Sequence, residues 1–105
     1  MDTQEMIDLC KRHTLYTWAA TDSVNPLPIA RAEGVYLYTP EGKRILDFNS
    51  QLMSVLIGHS HPKVVKAIQD QAATLSYANP FMATEVRARL GAKLAELTPG
   101  DMDTF

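Results

Sequence analysis

The chain has 105 residues, 46% of them apolar and 21% charged, a globular rather than a disordered composition. A chain of this size forms one domain at most and buries about 60–65% of its unfolded surface. Ten Lys and Arg against twelve Asp and Glu leave a net charge of −2, and there is one cysteine; this argues against a nucleic-acid backbone as partner and excludes an internal disulfide or a paired-cysteine zinc site.

The longest nearly apolar run, Leu52 to Gly58, is seven residues, whereas a membrane helix needs about 20. The start, MDTQEMID, is acidic and lacks the basic-then-apolar profile of a secretory signal. The expectation is a cytoplasmic α+β chain.

Residues 3–13 read as a helix, capped by Asp2 or Thr3 with Glu5 in its first turn. Met6, Leu9, Cys10 and His13 follow helical spacing and predict a weak apolar face on which Cys10 and His13 are partly buried surface. Residues 14–28 read as irregular, because Pro26 and Pro28 flank one leucine and favour extended chain. Ile29 to Glu33 is extended and Gly34 turns. Val35 to Tyr38 alternates, Thr39-Pro40-Glu41-Gly42 is a type I turn, and Arg44 to Phe48 returns, which predicts an antiparallel hairpin or meander.

Residues 49–61 are apolar but irregular and end in Gly58-His59-Ser60-His61. Pro62 suits the first position of a helix over 62–75 that buries Val64, Val65, Ile68, Ala72 and Leu75. A second apolar link, 76–83, leads to a helix capped by Thr84 and striped by Val86, Leu90, Leu94 and Leu97; Thr98-Pro99-Gly100 stops it.

Most candidate chemistry in this order has a blander reading. His59 and His61 have the spacing of a metal pair, but no third ligand is near, and structural histidines at a helix start account for them better. The Gly58-His-Ser-His-Pro run has one glycine, not the several that wrap a phosphate. Cys10 and His13 lack an oxyanion loop. A Schiff-base lysine must lose its proton in a desolvated site, yet Lys11, Lys43, Lys63, Lys66 and Lys93 all fall on polar faces or in a turn. Bulky side chains in irregular stretches are more suggestive. Tyr16, Trp18, Leu52, Met53, Phe81 and Met82 either pack a core or line a pocket or interface, and composition leaves both open.

The collinear series Pro26-Leu-Pro-Ile, Ala32-Glu-Gly-Val-Tyr-Leu, Glu41-Gly-Lys-Arg-Ile-Leu-Asp-Phe, Gly58-His-Ser-His-Pro-Lys-Val, Tyr77-Ala-Asn-Pro-Phe and Thr98-Pro-Gly-Asp resembles the amino-terminal segment of class III (omega) aminotransferases over about residues 13–105. Asp47-Phe-Asn-Ser-Gln-Leu-Met looks closest to the branch acting on short amines, such as taurine–pyruvate aminotransferases. The resemblance implies a fold type I, pyridoxal-phosphate-dependent parent several times longer. In it, residues 1–28 form an amino-terminal helix and irregular arm. Residues 29–105 form the small-domain β-meander and the helices leading to a large domain.

The resemblance further implies transfer of an amino group from an amine or omega-amino acid to a keto acid such as pyruvate, in a cytoplasmic homodimer. The glycine- and serine-rich phosphate loop, the aspartate on the pyridine nitrogen and the Schiff-base lysine are expected beyond Phe105, so the segment alone is expected to be inactive and not to bind the cofactor covalently. By position, Leu52 and Met53 would line the pocket, Phe81 with Met82 would reach the partner subunit's site, and Trp18 would sit near the substrate entrance. The chain departs from many members at Trp18-Ala19-Ala20, where they have His-Pro-Phe or His-Pro-Tyr, and at Met53, where they have Trp. A flexible methionine offers no fixed stacking face. The alternative reading is a non-catalytic, stand-alone α+β interaction module, which predicts a self-sufficient core.

Overall fold

The computed structural model describes all 105 residues apart from the side chain of Thr21. In chain order it contains α1 (Thr3–His13), a 3-10 turn (Thr21–Ser23), β1 (Arg31–Glu33), β2 (Tyr36–Tyr38), β3 (Arg44–Leu46), α2 (Ser50–Met53), α3 (Pro62–Thr74) and α4 (Glu85–Leu97). The chain divides into two compact units, Met1–Lys66 and Ala67–Phe105.

In the first unit, Asp2 caps α1, its carboxylate accepting from the Glu5 N–H at 2.8 Å. The half-buried side of α1 carries Met6, Ile7 and Cys10, whereas Leu9 and His13 are exposed. The predicted stripe is therefore correct for Met6 and Cys10 but is completed by Ile7. That side faces Tyr16 and Pro26–Ile29 across an open groove of about 330 Å3. At the other end of the hairpin, the Thr3 hydroxyl donates to Glu41 at 2.5 Å.

The sheet is antiparallel with order β1-β2-β3, as the alternation predicts. Its turn closes where expected, with the Gly42 N–H donating to the Thr39 carbonyl at 2.9 Å and Gly42 at φ +85°. Period-2 alternation sorts the faces. Ala32, Leu37 and Ile45 pair across one face, and Arg31, Tyr38 and Arg44 across the other. There the Arg31 guanidinium lies 3.5 Å from the centroid of the Tyr38 ring, and Arg44 lies 4.6 Å from that of Tyr36, cross-strand cation–π contacts.

In the second unit, Thr84 caps α4, its hydroxyl accepting from the Arg87 N–H, and Glu85 pairs with Arg89 one turn on. The link between α3 and α4 and the start of α4 form an open groove of about 330 Å3 lined by Gln71, Leu75, Tyr77, Ala78, Val86 and Leu90, among others.

The helices stand where the caps and periodicity predict, but their apolar stripes are not buried. Val64, Val65, Ile68 and Leu75 of the α3 stripe are exposed, and so are Val86, Leu90 and Leu97 of α4. Among the described residues no apolar residue is buried at all, and the one polar residue that is buried is Thr39, 7% exposed. The reason is supply of surface: an amphipathic helix gains its stability by burying its stripe against another element, and the described residues leave these stripes exposed.

Candidate functional site

The segment from Asp47 to Ser60 is held by hydrogen bonds both within itself and to the sheet. Residues 49–61 are expected from sequence to be irregular; Ser50–Met53 instead form a single helical turn, α2, wound left-handed. Ser50, Gln51, Leu52 and Met53 all have φ between +50° and +61°, and Gln51 and Leu52 have ψ +57° and +47°. A left-handed residue other than glycine costs about 1–2 kcal/mol because its Cβ crowds the following carbonyl, and such residues ordinarily occur singly. Four in succession represent on the order of 4–8 kcal/mol.

Hydrogen bonding offsets that cost. The Gln51 N–H donates to Asp47 Oδ1 at 3.3 Å, and the Leu52 N–H donates to Asn49 Oδ1. The Met53 N–H reaches the Asn49 carbonyl at 3.0 Å, and the N–H groups of Ser54 and Val55 converge on the Ser50 carbonyl at 2.9 and 3.1 Å. Every backbone donor from Gln51 to Val55 is therefore satisfied, two of them by side chains of the preceding residues.

The base of this loop is closed on the β1–β2 connection. The Asp47 N–H donates to the Val35 carbonyl at 2.9 Å. His59 exchanges both backbone hydrogen bonds with Gly34, at 2.7 and 3.0 Å, and the Ser60 hydroxyl donates to the Ala32 carbonyl at 2.7 Å. Between the two ends, Asp47 Oδ2 and His59 Nε2 lie 2.6 Å apart, with the two side chains 3% and 13% exposed. A carboxylate only accepts, so His59 donates from Nε2. This bond, helped by the Gln51 N–H, holds the Asp47 carboxyl below its ordinary pKa of 3.8. The loop tip is apolar and uncovered: Leu52, Met53, Leu56 and Ile57 are all exposed.

Of the residues singled out from sequence, Leu52 and Met53 are thus neighbours on the left-handed turn, in the first unit. Trp18 lies in the loop after α1 and is 84% exposed. In the second unit, Phe81 and Met82 sit on a bend held by Asn79, whose side chain accepts from the Phe81 N–H at 2.9 Å and whose carbonyl accepts from the Met82 N–H at 3.1 Å. Arg87 of α4 donates to the carbonyls of Pro80 and Met82, both at 3.1 Å, which leaves the Phe81 ring 98% exposed. None of these five side chains lines either groove described above.

His59 and His61 do not share a ligand position. His59 is bonded to Asp47, and His61 Nδ1 has no partner. Among the described residues no three His, Cys, Asp or Glu side chains gather as a metal group, and no helix is long and apolar enough to cross a membrane. All five lysines are exposed, with Lys93 paired to Glu96. Sequence reasoning missed Asp47 and Asn49 as structural partners. The signal available was two short acceptors, Asp and Asn, within three residues of a segment with no helix or strand period.

The model of the aminotransferase class-III family matches residues 17–105. An omega-aminotransferase of Caulobacter vibrioides is 38% identical over 80 residues, 75% of this chain and 18% of that protein. Among solved structures, a thermostable (S)-enantioselective omega-transaminase from Thermomicrobium roseum superposes with a TM-score of 0.90 at 30% identity, over 99% of this chain and 24% of the other. The taurine:2-oxoglutarate aminotransferase of Bifidobacterium kashiwanohense, solved with PLP and glutamate, gives 0.87 at 29% identity, over 94% of this chain and 22% of the other. The chain spans between 16% and 25% of the length of the curated relatives it matches.

Proposed function

Given that the chain belongs to the class-III aminotransferase family, we propose that it is the amino-terminal part of an enzyme that moves an amino group from an amine or omega-amino acid to a keto acid such as pyruvate. The observation that carries this reading is the left-handed turn at Leu52 and Met53. Sustained left-handed backbone persists only where its surroundings hold it, and such strain clusters at sites that bind and react.

Enzymes of this family use pyridoxal phosphate, which when bound supplies the electron sink that lets a proton leave the amine carbon. The residues of this chain do not fit as the holder of that group. Its five lysines are exposed and its glycines do not form a phosphate-wrapping loop. Its part in the reaction is to bind, orient and exclude water. Leu52 and Met53 form an apolar wall of the substrate pocket, Trp18 stands at the entrance, and Phe81 with Met82 reaches the pocket of a second subunit in a homodimer. The flexible Met53 favours short aliphatic amines over large aromatic ones. The taurine-using neighbour supports that choice of donor, and the chain is read as cytoplasmic. The non-catalytic module is disfavoured because the described residues lack the self-sufficient core it requires.

The test compares the 105-residue chain with the complete polypeptide encoded around it, each incubated with pyridoxal phosphate, taurine, β-alanine or alanine, and pyruvate. The complete polypeptide is expected to turn over a short amine and the 105-residue chain none. A complete polypeptide inert toward every amine, or turnover by the 105-residue chain alone, overturns the proposal.

A further inference from the structure

We propose that Asp47 and His59 are positioning residues for the reaction: the side-chain bond between them at the base of the 47–59 loop, with the bond from the Gln51 N–H to Asp47, sets the direction in which Leu52 and Met53 meet the substrate. The inference rests on the reading of Leu52 and Met53 as pocket wall.

Three features of the loop point to this role. The left-handed turn is the locally unfavourable hand, so a right-handed turn is always available as a competing state and would redirect both side chains. Asp47 touches both parts of the system, with Oδ1 on the turn at Gln51 and Oδ2 on the loop base at His59. Finally, both partners are tied by backbone bonds to the same connection, Asp47 to Val35 and His59 to Gly34, so the pair is referenced to the sheet rather than to the exposed tip. Neither side chain reaches the tip itself. The pair therefore selects the hand of the turn, and through it the shape of the wall, without touching substrate.

The experiment uses the complete aminotransferase carrying this segment. It compares kcat/KM for a short aliphatic amine with kcat/KM for a bulky aryl amine, alongside amide exchange of residues 50–54 in protein freed of cofactor. Asp47→Ala is expected to shift the ratio of the two kcat/KM values at least tenfold and to speed exchange in 50–54 at least tenfold, with exchange elsewhere unchanged. Asp47→Asn keeps an acceptor for Gln51 and, with His59 in its other tautomer accepting at Nε2 from the amide NH2, a partner for His59, and is expected to hold the ratio within threefold. Adding Leu52→Ala to Asp47→Ala is expected to move the ratio little further. Faster exchange with an unmoved ratio reduces the pair to a structural prop and overturns the proposal, as does no change in either readout.

If Asp47→Ala does not fold, His59→Ala, which leaves the bond to Gln51, is read in the same assay. A shift of threefold or more supports the role, and none overturns it. A ratio unmoved by Leu52→Ala and Met53→Ala in otherwise unaltered protein overturns instead the pocket reading on which the inference stands.

Discussion

Gly58 and Gly34 approach so closely that a Cβ on Gly58 would meet the Gly34 carbonyl oxygen at 3.1 Å, while Gly58 itself stands at φ +86°. Both the contact and the backbone conformation call for glycine at the point where His59 docks on the β1–β2 connection. Gly58→Ala in the complete chain is expected to cost about 1–3 kcal/mol, read as a lower urea midpoint. Gly34→Ala meets open space and carries only the penalty of φ +57°. It is expected to cost less, and equal losses would contradict the role given to the contact.

The left-handed turn makes an unusual prediction at Gln51. Glycine there removes the Cβ clash, worth about 1–2 kcal/mol, against an entropic cost of about 0.5–1 kcal/mol. Gln51→Gly is therefore expected to leave stability unchanged or raise it by up to about 1.5 kcal/mol. Gln51→Ile, branched at Cβ, is expected to lower it. Thermal unfolding of the two variants checks the pair, and the reverse order would show that the turn is not left-handed in solution.

Asp47 is held below its ordinary pKa of 3.8, chiefly by the His59 hydrogen bond. A carboxyl depressed in the folded state contributes stability that is fully present above its unfolded pKa and is lost as pH falls through the folded one. Asp47→Asn is thus expected to show its full deficit from neutral pH down to about 5, to begin to close it below the ordinary carboxylate pKa of 3.8, and to converge on the unaltered protein only as pH falls through the lower folded value. Glu41, lowered from 4.5 mainly by the Thr3 hydroxyl, titrates nearby but is common to both proteins and cancels. Urea midpoints between pH 7 and 2.5 give the curve. A deficit that persists undiminished at the acid end would assign the effect to packing.

The 105-residue chain in isolation is expected to bind a hydrophobic dye and to unfold over a broad, weakly cooperative range, since its described residues expose Phe48, Leu56, Phe81 and the stripes of α3 and α4. Calorimetry and dye fluorescence check this. A sharp transition without dye binding would show a self-sufficient core.

The parts of this molecule legible from the order of residues are those stabilised within three or four positions. Asp2 and Thr84 cap their helices through N–H groups three residues on, and Gly42 closes the hairpin onto Thr39 three residues back. Such contacts are local, so the residue types that form them announce them. The α3 and α4 stripes were equally legible as patterns, but a pattern states only which side of a helix needs covering.

What residue order alone determined, then, is the three longer helices, the antiparallel hairpin with its Thr39–Gly42 turn, and the family to which their sequence of motifs belongs. Only the tertiary structure decided the hand of the Ser50–Met53 turn and the partner of His59. The Asp47–His59 bond joins residues twelve apart, and both are placed by backbone bonds to Gly34 and Val35, still further back in the chain. A left-handed turn built from Ser, Gln, Leu and Met runs against the local preference of each of those residues. It exists because the local acceptors Asp47 and Asn49, together with a loop base tied to Val35 and Gly34, outweigh that preference, and the tie to the distant connection leaves no trace in short-range pattern.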